Sequence, residues 1–407
     1  MTNRIFYFYL LSLFLGSSVF LPSFTAITPM ACMMTVSFIL ILGSIFRKKI
    51  FLSVSMMFIL SFTLLAFIID FFYAIFNGTE ISYPLYKLHI ILVIFILSNL
   101  NFSDDFFYAN ISKLLKNATI GMFIICLYQQ LVALSLLPAY SFVSIRYVYD
   151  NLSLVSGGFG NPNNQAVVSL LLVLLYAILM KNNLIARNWF PLVYILNFFI
   201  IIVTTSRTVL VLYILLTPSI LFNLQANKKK IIVLLVVFLM CCAFLIINSS
   251  SGEIFISRTL TKIGTIFNSN GGDESFGVRF TAYLYFVENF VFYPLGFGPG
   301  NFKEFYLASS FFDENPYFAE SPHSFFFEMF LTYGIISLLV IFFLALIVIK
   351  TQKNVIWCNI FYFAFLICSF VPSSIMKMPC VFFMLLIPIV INQRLNCENS
   401  HRMLQSN

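Results

Sequence analysis

The chain alternates between long apolar stretches and short polar turns over most of its length, and this pattern limits the fold more than any other feature. Hydrophobic residues fill 61% of its 407 positions and charged residues only 9%, whereas a soluble domain carries about 25% charged residues. A soluble fold of this size could not bury so much apolar surface, so its solvent must be lipid. The pattern predicts an all-α polytopic membrane protein.

A helix that crosses a bilayer needs about 20 apolar residues. We predict about twelve transmembrane helices, over residues 5–23, 26–46, 51–76, 84–100, 118–137, 164–180, 188–205, 208–224, 231–248, 324–349, 355–372 and 379–392. The first stretch lacks a small-residue cleavage site, so we interpret it as an anchor and not as a signal peptide.

The basic residues of the short turns predict the orientation. With the N-terminus in the cytoplasm, 15 of the 23 Lys and Arg residues fall on the cytoplasmic side, and an even number of spans returns the C-terminus there. The net charge of +8 is mostly this topogenic signal and does not indicate nucleic-acid binding. Among the basic residues outside that set, we interpret Lys87, Lys262, Lys303 and Lys377 as solvated charges or interface anchors.

The predicted organisation has four parts: helices 1–9 over residues 1–247, a long periplasmic loop over 248–322, helices 10–12 over 323–392 and a cytoplasmic tail over 393–407. Apolar residues recur at helical spacing from Phe280, which predicts an interfacial helix over 277–292 inside the long loop. Acidic residues outnumber basic ones in this loop, so a diphosphate there would have to be held by individually placed arginines.

The eight cysteines all lie outside the long loop, and their spacing resembles no zinc site. We therefore expect no disulfide framework and no zinc site. No other metal cluster or cofactor site is visible in the sequence, so we expect no metal and no cofactor.

A shorter outer loop over residues 138–163 contains Arg146 and ends in a turn-rich run, Gly157-Gly158-Phe159-Gly160-Asn161-Pro162-Asn163-Asn164. Gly and Asn tolerate positive φ, and Asn-Pro starts turns. The run is interpreted either as a helix-entry loop, with the helix entered at Gln165, or as a rim that closely approaches a polar ligand.

Two residues stand out at span ends. Arg207 lies between two apolar spans that leave almost no loop, and it either snorkels to the interface or binds phosphate with its planar fork. Ser321 and Pro322 predict a helix start that places His323 in the first turn, where the positive helix end favours a neutral imidazole suited to a general base. The alternative for His323 is a capping or interfacial role.

Two carboxylates lie inside predicted spans, Asp70 and Glu328. Glu328 is about 140° from His323 around a helix, so the two do not share a face. We interpret both carboxylates as structural partners of other polar groups and not as catalytic groups.

Four motifs in order resemble the O-antigen polymerase and O-antigen ligase superfamily. They are Gly158-Phe159-Gly160-Asn161-Pro162-Asn163; Ser206-Arg207-Thr208; Val278-Arg279-Phe280 leading to Pro294-Leu295-Gly296-Phe297-Gly298-Pro299-Gly300-Asn301-Phe302; and Pro322-His323-Ser324 with Glu328 and Gly334. The resemblance covers about residues 150 to 345. The sequence departs from the ligase pattern at Gly334-Ile335-Ile336-Ser337.

The resemblance implies a metal-independent glycosyltransferase that uses an undecaprenyl-diphosphate-linked oligosaccharide donor and acceptor at the periplasmic face of the bacterial inner membrane. By motif, Arg207 and Arg279 would bind the carrier diphosphate and His323 would activate the acceptor hydroxyl, with Arg146 a further diphosphate candidate. The expected activity is O-antigen polymerisation in lipopolysaccharide biosynthesis, with a chain-length regulator protein as partner. The alternatives are O-antigen ligase, which transfers the glycan to lipid A core, and a lipid-linked sugar transporter or flippase.

Overall fold

The fold is a bundle of α-helices in the computed structural model of the chain. The structure describes residues 2–15, 54–99, 105–133, 136–138, 148–149, 152–153, 155–159, 161–204, 206–223, 284–285, 287–307, 324–351, 356–370, 375 and 378–391. The helices within these ranges, numbered in chain order, are α1 Thr2–Leu15, α2 Val54–Phe76, α3 Ser82–Asn99, α4 Asp105–Ala133, α5 Pro162–Lys181, α6 Phe190–Val203, α7 Arg207–Asn223, α8 Phe302–Leu307, α9 Phe325–Tyr333, α10 Ile336–Thr351, α11 Ile356–Cys368 and α12 Pro379–Ile391.

Short elements link some of the helices. Gly157–Phe159 and Arg187–Trp189 each form one 3₁₀ turn, before α5 and α6 respectively. A two-stranded antiparallel ribbon pairs β1, Val148–Tyr149, with β2, Leu152–Ser153. The prediction of an all-α protein therefore holds apart from this ribbon in the 138–163 loop.

Three of the described helices contain segments long and apolar enough to cross a membrane: Met56–Phe76 in α2, Tyr108–Ala133 in α4 and Pro162–Lys181, which is α5. Shorter apolar helices accompany them, among them α6, α7 and α12. Predicted spans 26–46 and 231–248 lie outside the described residues, so the count of twelve remains a prediction.

α5 is the central helix of the bundle. Every side chain from Asn164 to Met180 is buried, and α4, α6, α7 and α11 pack around it. A lipid-facing helix and a protein-buried helix have similar apolar sequences, so hydropathy alone does not distinguish α5 from its neighbours.

α2 and α3 form an antiparallel hairpin at the edge of the bundle, closed by the turn at residues 77–81. One face of α2 leaves large apolar side chains exposed, as expected for contact with lipid: Leu64, Leu65, Ile68, Phe71, Phe72 and Ile75. The other face carries buried Thr63, Ala66 and Asp70.

Two predicted spans differ from the observed helices. The span predicted over 118–137 overlaps α4, which begins earlier, at Asp105, and ends at Ala133. The part before the predicted span contains Lys113 and Lys116, which lower its hydropathy. Hydropathy marks where a helix meets lipid and does not mark where its hydrogen bonding begins. The span predicted over 324–349 is two helices, α9 and α10, separated at Gly334 and Ile335.

Candidate functional site

The predicted site residues are only partly within the described chain. Arg146, Arg279 and His323 lie outside the described residues, and for Arg207 the structure describes the backbone position. Their roles therefore stay predictions. The structure describes the segments that lie next to them in the chain.

Arg207 is the first residue of α7 and stands only four positions after Val203, the last residue of α6. α6 ends at Val203, and Thr204 caps it through its backbone N–H, while its hydroxyl donates to the Ile201 carbonyl at 2.9 Å. This confirms the prediction that Arg207 stands between two apolar helices with almost no loop.

Aromatic contacts hold α6 and α7 together below this turn. The hydroxyl of Tyr213 donates to the backbone carbonyl of Tyr194 at 2.7 Å, and the two rings pack with centroids 5.1 Å apart. Phe198 stacks on Tyr213 from the neighbouring turn of α6. The position of Arg207 is therefore set by a rigid helix pair, which is what precise positioning of a charged group requires.

The start of α7 is electrostatically suited to an anion. The first N–H groups of a helix have no partner inside the helix, and the helix dipole adds positive potential there. Ser206, at the start of α7, is buried, and its hydroxyl has no hydrogen-bond partner among the described residues. A cation such as Arg207 is repelled by the positive end of the helix dipole. A bound anion would offset this repulsion and would accept hydrogen bonds from the N–H and hydroxyl groups that have no partner.

The turn at residues 155–159 is held by two glutamine side chains. Gln129 of α4 accepts from the N–H groups of Ser156 and Gly157 at 3.1 and 2.7 Å and donates to the Gly157 carbonyl at 3.0 Å. Gln165 of α5 accepts from the N–H of Gly158 at 3.2 Å. These bonds satisfy a buried irregular backbone, so the structure supports the helix-entry interpretation for these glycines.

Gly157 is required at this turn because φ is +60° and an added Cβ would lie 2.5 Å from Cδ of Gln165. α5 begins at Pro162, earlier than the predicted entry at Gln165, with Asn161 as its N-cap accepting from the N–H of Asn163 at 2.9 Å. Asn164 is buried, and its Oδ1 has no partner within the described part of the chain. This carbonyl oxygen is a buried polar group of the run that is left for a ligand or water.

α9 starts later than the sequence predicts. Its N-cap is Ser324, in an extended conformation without a side-chain cap, and the helix begins at Phe325. The prediction that Ser321 caps a helix beginning at Pro322, with His323 in its first turn, is therefore wrong. The reason is tertiary: the Phe325 N–H donates to the Ser369 carbonyl of the segment after α11, at 2.8 Å.

The segment at residues 293–300 docks onto the gap between α9 and α10, a contact we call the loop joint. The N–H groups of Phe297 and Gly298 donate to the carbonyls of Leu331 and Thr332 at 2.7 and 3.2 Å, and the Ile335 N–H donates to the Pro294 carbonyl at 2.8 Å. These bonds satisfy carbonyls that the end of α9 leaves free. A second chain segment thus fills the break in the helix.

Glycines make this close approach possible. Gly334 has φ +56°, and Gly296, Gly298 and Gly300 also have positive φ. An added Cβ at Gly298 would overlap the Tyr73 ring, and at Gly300 it would lie 3.2 Å from the Tyr83 ring. The Gly-rich run is therefore a packing surface against α2 and α3.

The interfacial helix predicted over 277–292 is described only in its last turns. Residues 284–285 and 287–289 are helical. Val287 and Val291 are exposed on the face predicted to meet the membrane, whereas Tyr285 is buried. Tyr285 belongs to an aromatic cluster that also contains Tyr293, Phe297, Phe302, Phe305 and Tyr306. Burial in this cluster raises the pKa of Tyr306.

Sequence reasoning missed a buried ion pair. Lys87 of α3, which the sequence suggests is a solvated charge or interface anchor, is only 2% exposed, and its Nζ lies 3.1 Å from Oδ2 of Asp70 on α2. The two opposite charges form an ion pair. The available signal was the near-equal spacing of the two residues from the 77–81 turn, which places them opposite each other in a hairpin.

Asp70 is a structural partner, as predicted. Its Oδ1 accepts from the hydroxyl of Tyr333 at 2.8 Å. Glu328, also of α9, is close enough to interact electrostatically with the same hydroxyl. Within the described residues no group of three His, Cys, Asp or Glu side chains is arranged to hold a metal.

Apolar helices packed around a buried central helix, several of them long enough to cross a bilayer, define a helical membrane protein. The family model described as O-antigen ligase matches residues 190–342, which include α6, α7, the loop joint and α9. This match places residues 190–342 in the O-antigen polymerase and ligase superfamily, whose members are glycosyltransferase-like. No curated protein matches the chain.

Proposed function

We propose that the protein is an O-antigen polymerase, which joins undecaprenyl-diphosphate-linked oligosaccharide repeats into the polysaccharide of lipopolysaccharide at the periplasmic face of the inner membrane. The observation that carries the proposal is the position of Arg207 at the start of α7, inside the family match. A helix start, a buried unpaired hydroxyl and an arginine together favour a phosphate ligand.

The proposed reaction needs few groups. The acceptor hydroxyl oxygen attacks the anomeric carbon of the donor sugar, the bond from that carbon to the diphosphate oxygen breaks, and undecaprenyl diphosphate leaves. Arg207, Arg279 and Arg146 stabilise the negative charge that grows on the leaving group. His323 accepts the proton of the attacking hydroxyl.

The described residues directly after His323 are compatible with this role. The first of these, Ser324, is buried and extended, and the Phe325 N–H is bonded to Ser369. The chain is therefore fixed immediately after His323. A general base needs such fixed positioning to hold its distance to the acceptor hydroxyl.

O-antigen ligase is the second candidate, because the matching family model is described by that activity. Both reactions use the same donor and the same leaving group and differ in the acceptor, which is a second lipid-linked glycan for the polymerase and lipid A core for the ligase. A chain-length regulator is proposed as partner only for the polymerase.

Arg207→Ala tests the diphosphate role. Hydrogen bonds to charged groups are worth about 1.5–3 kcal/mol, so we expect roughly a ten- to hundredfold loss of product with normal membrane insertion. Arg187→Ala is the matched control, because Arg187 lies at the opposite end of α6, is exposed and donates to Asn183 at 3.2 Å. Immunoblots of membranes would verify equal amounts of both variants.

A lipopolysaccharide gel of a deletion strain complemented with each variant separates a polymerase from the other two functions. Loss of a polymerase leaves single repeats on the core, whereas loss of a ligase, or of a flippase that leaves repeats trapped on the cytoplasmic face, leaves bare core. Wild-type polymer length in Arg207→Ala, or equal losses in Arg207→Ala and Arg187→Ala, would contradict the proposed role. Full activity of His323→Ala would rule out the proposed base.

A further inference from the structure

A buried polar cluster connects the α2–α3 hairpin to the loop joint. Lys87 and Asp70 form the ion pair across the hairpin, and the Tyr333 hydroxyl donates to Asp70. The Lys87 ammonium also lies 5.9 Å from the centre of the Tyr333 ring. Tyr333 is the last residue of α9, directly before the break at Gly334. The cluster therefore holds the helix end onto which the loop docks.

Tyr333 of the cluster contacts α2 before the end of the hairpin. Tyr333 bonds Asp70 and packs on Phe62 with ring centroids 6.0 Å apart. At a rise of 1.5 Å per residue, these two α2 residues lie about 9 Å and about 21 Å before its end at Phe76. The non-helical backbone of residues 293–300 packs near the end of the hairpin, where Gly298 lies against the Tyr73 ring and Gly300 lies near the Tyr83 ring. The N–H groups of Phe297 and Gly298 are satisfied by carbonyls of α9, as buried irregular backbone requires.

Charges in this place need a specific reason. Asp70 is fully buried and Lys87 nearly so, and removing both charges from water costs several kcal/mol per ion. An apolar pair would hold a helical hairpin together as well or better. What an ion pair adds is a fixed hydrogen-bond acceptor, oriented by Lys87, for one particular hydroxyl on another helix.

We propose that Asp70, Lys87 and Tyr333 are positioning residues that hold the break between α9 and α10 in the geometry that receives the loop segment 293–300. The loop joint then sets the position of the long loop, which carries Arg279, relative to α9. The expected effect on activity rests on the proposed function, whereas the contact itself does not depend on the substrate.

Cross-linking measures the joint directly. Leu295 and Ile335 lie on opposite sides of the joint, are 67% and 50% exposed, and are joined through the hydrogen bond from the Ile335 N–H to Pro294. In a cysteine-free background of the full chain in membranes, Leu295→Cys with Ile335→Cys should cross-link with a short bifunctional thiol reagent. Leu338→Cys with Phe342→Cys is the matched control, because both are exposed within α10 and do not bridge the joint.

We expect Asp70→Asn and Lys87→Met each to lower cross-linking across the joint roughly tenfold, since each leaves its partner buried and unpaired, while the control pair reacts as before. Tyr333→Phe keeps the ring and removes one hydrogen bond, so it should insert normally and show a smaller decrease. Unchanged cross-linking in Tyr333→Phe and in the inserted Asp70→Asn protein would overturn the proposal.

A rescue experiment separates positioning from other roles. If the cluster acts by holding the joint, covalent linkage of the two introduced cysteines across it, formed before substrate is added, should restore much of the activity lost in Tyr333→Phe. No restoration in a protein whose joint is linked would mean that the hydroxyl acts in another way and would overturn the proposal. Arg207→Ala in the same background should cross-link normally and remain inactive, so a wrong assignment of the reaction would not be mistaken for a failure of the joint.

Discussion

Gly334→Ala should be among the most damaging single-methyl changes in this protein. Gly334 has φ +56° and ψ −133°, a conformation that favours glycine, and an added Cβ would lie 2.5 Å from both the Gly296 nitrogen and the Leu295 carbonyl carbon. These are backbone atoms that cannot rotate away, so the loop must move. We estimate about 1–3 kcal/mol for the backbone conformation.

Displacing the loop also breaks the three backbone hydrogen bonds of the joint. At about 1 kcal/mol each they add about 3 kcal/mol, for a total loss of roughly 4–6 kcal/mol in the free energy that holds the joint. Local opening of the loop can absorb this loss without global unfolding. The variant should therefore remain inserted, lose the cross-link between positions 295 and 335 and lose activity.

Gly78→Ala is the matched control, because Gly78 also has positive φ, at +66°, but an added Cβ there has no atom within 4 Å. It retains the penalty of a positive φ and removes the overlap. Detergent-solubilised protein would be compared by thermal unfolding, and the joint by cross-linking. If Gly334→Ala and Gly78→Ala behaved alike in both assays, the reasoning from steric overlap would be refuted.

Two further changes test the turn before α5. Gln129→Leu should destabilise the protein by about 3 kcal/mol, because the N–H groups of Ser156 and Gly157 lose their acceptor in a buried site; unfolding in detergent would measure it, and a loss below about 1 kcal/mol would mean that water replaces the side chain. Asn161→Ala removes the cap that accepts from Asn163 and should cost about 1 kcal/mol, whereas Asn161→Ser should be nearly neutral in the same assay.

The candidate site could be predicted from the sequence only as separate pieces. The position of Arg207 after a minimal turn followed from two adjacent apolar stretches and is confirmed in the backbone. The start of α9 did not follow, because Ser321-Pro322 satisfies the local rules for a helix start while the contact between Phe325 and Ser369 selects a later one. Local capping preferences are worth about 1 kcal/mol, and tertiary contacts can exceed them.

Lys87 shows that local sequence rules also fail to reveal the tertiary partner of a charged residue. A lysine near a span end is interpreted as a solvated anchor, and only the pairing of α2 with α3 brings Asp70 within 3.1 Å of it. Hydropathy counts the charge but does not identify its partner.

The helical class follows from the sequence alone, because in lipid each backbone N–H and carbonyl must be satisfied within the protein, and a run of apolar residues does this as a helix. The break at Gly334 depends instead on tertiary contacts. Residues 324–349 form one continuous apolar run in the sequence, and the break is stable only because Pro294, Phe297 and Gly298 supply hydrogen bonds that the helix gives up there. Those partners come from a distant segment, so no local pattern in the span could indicate them.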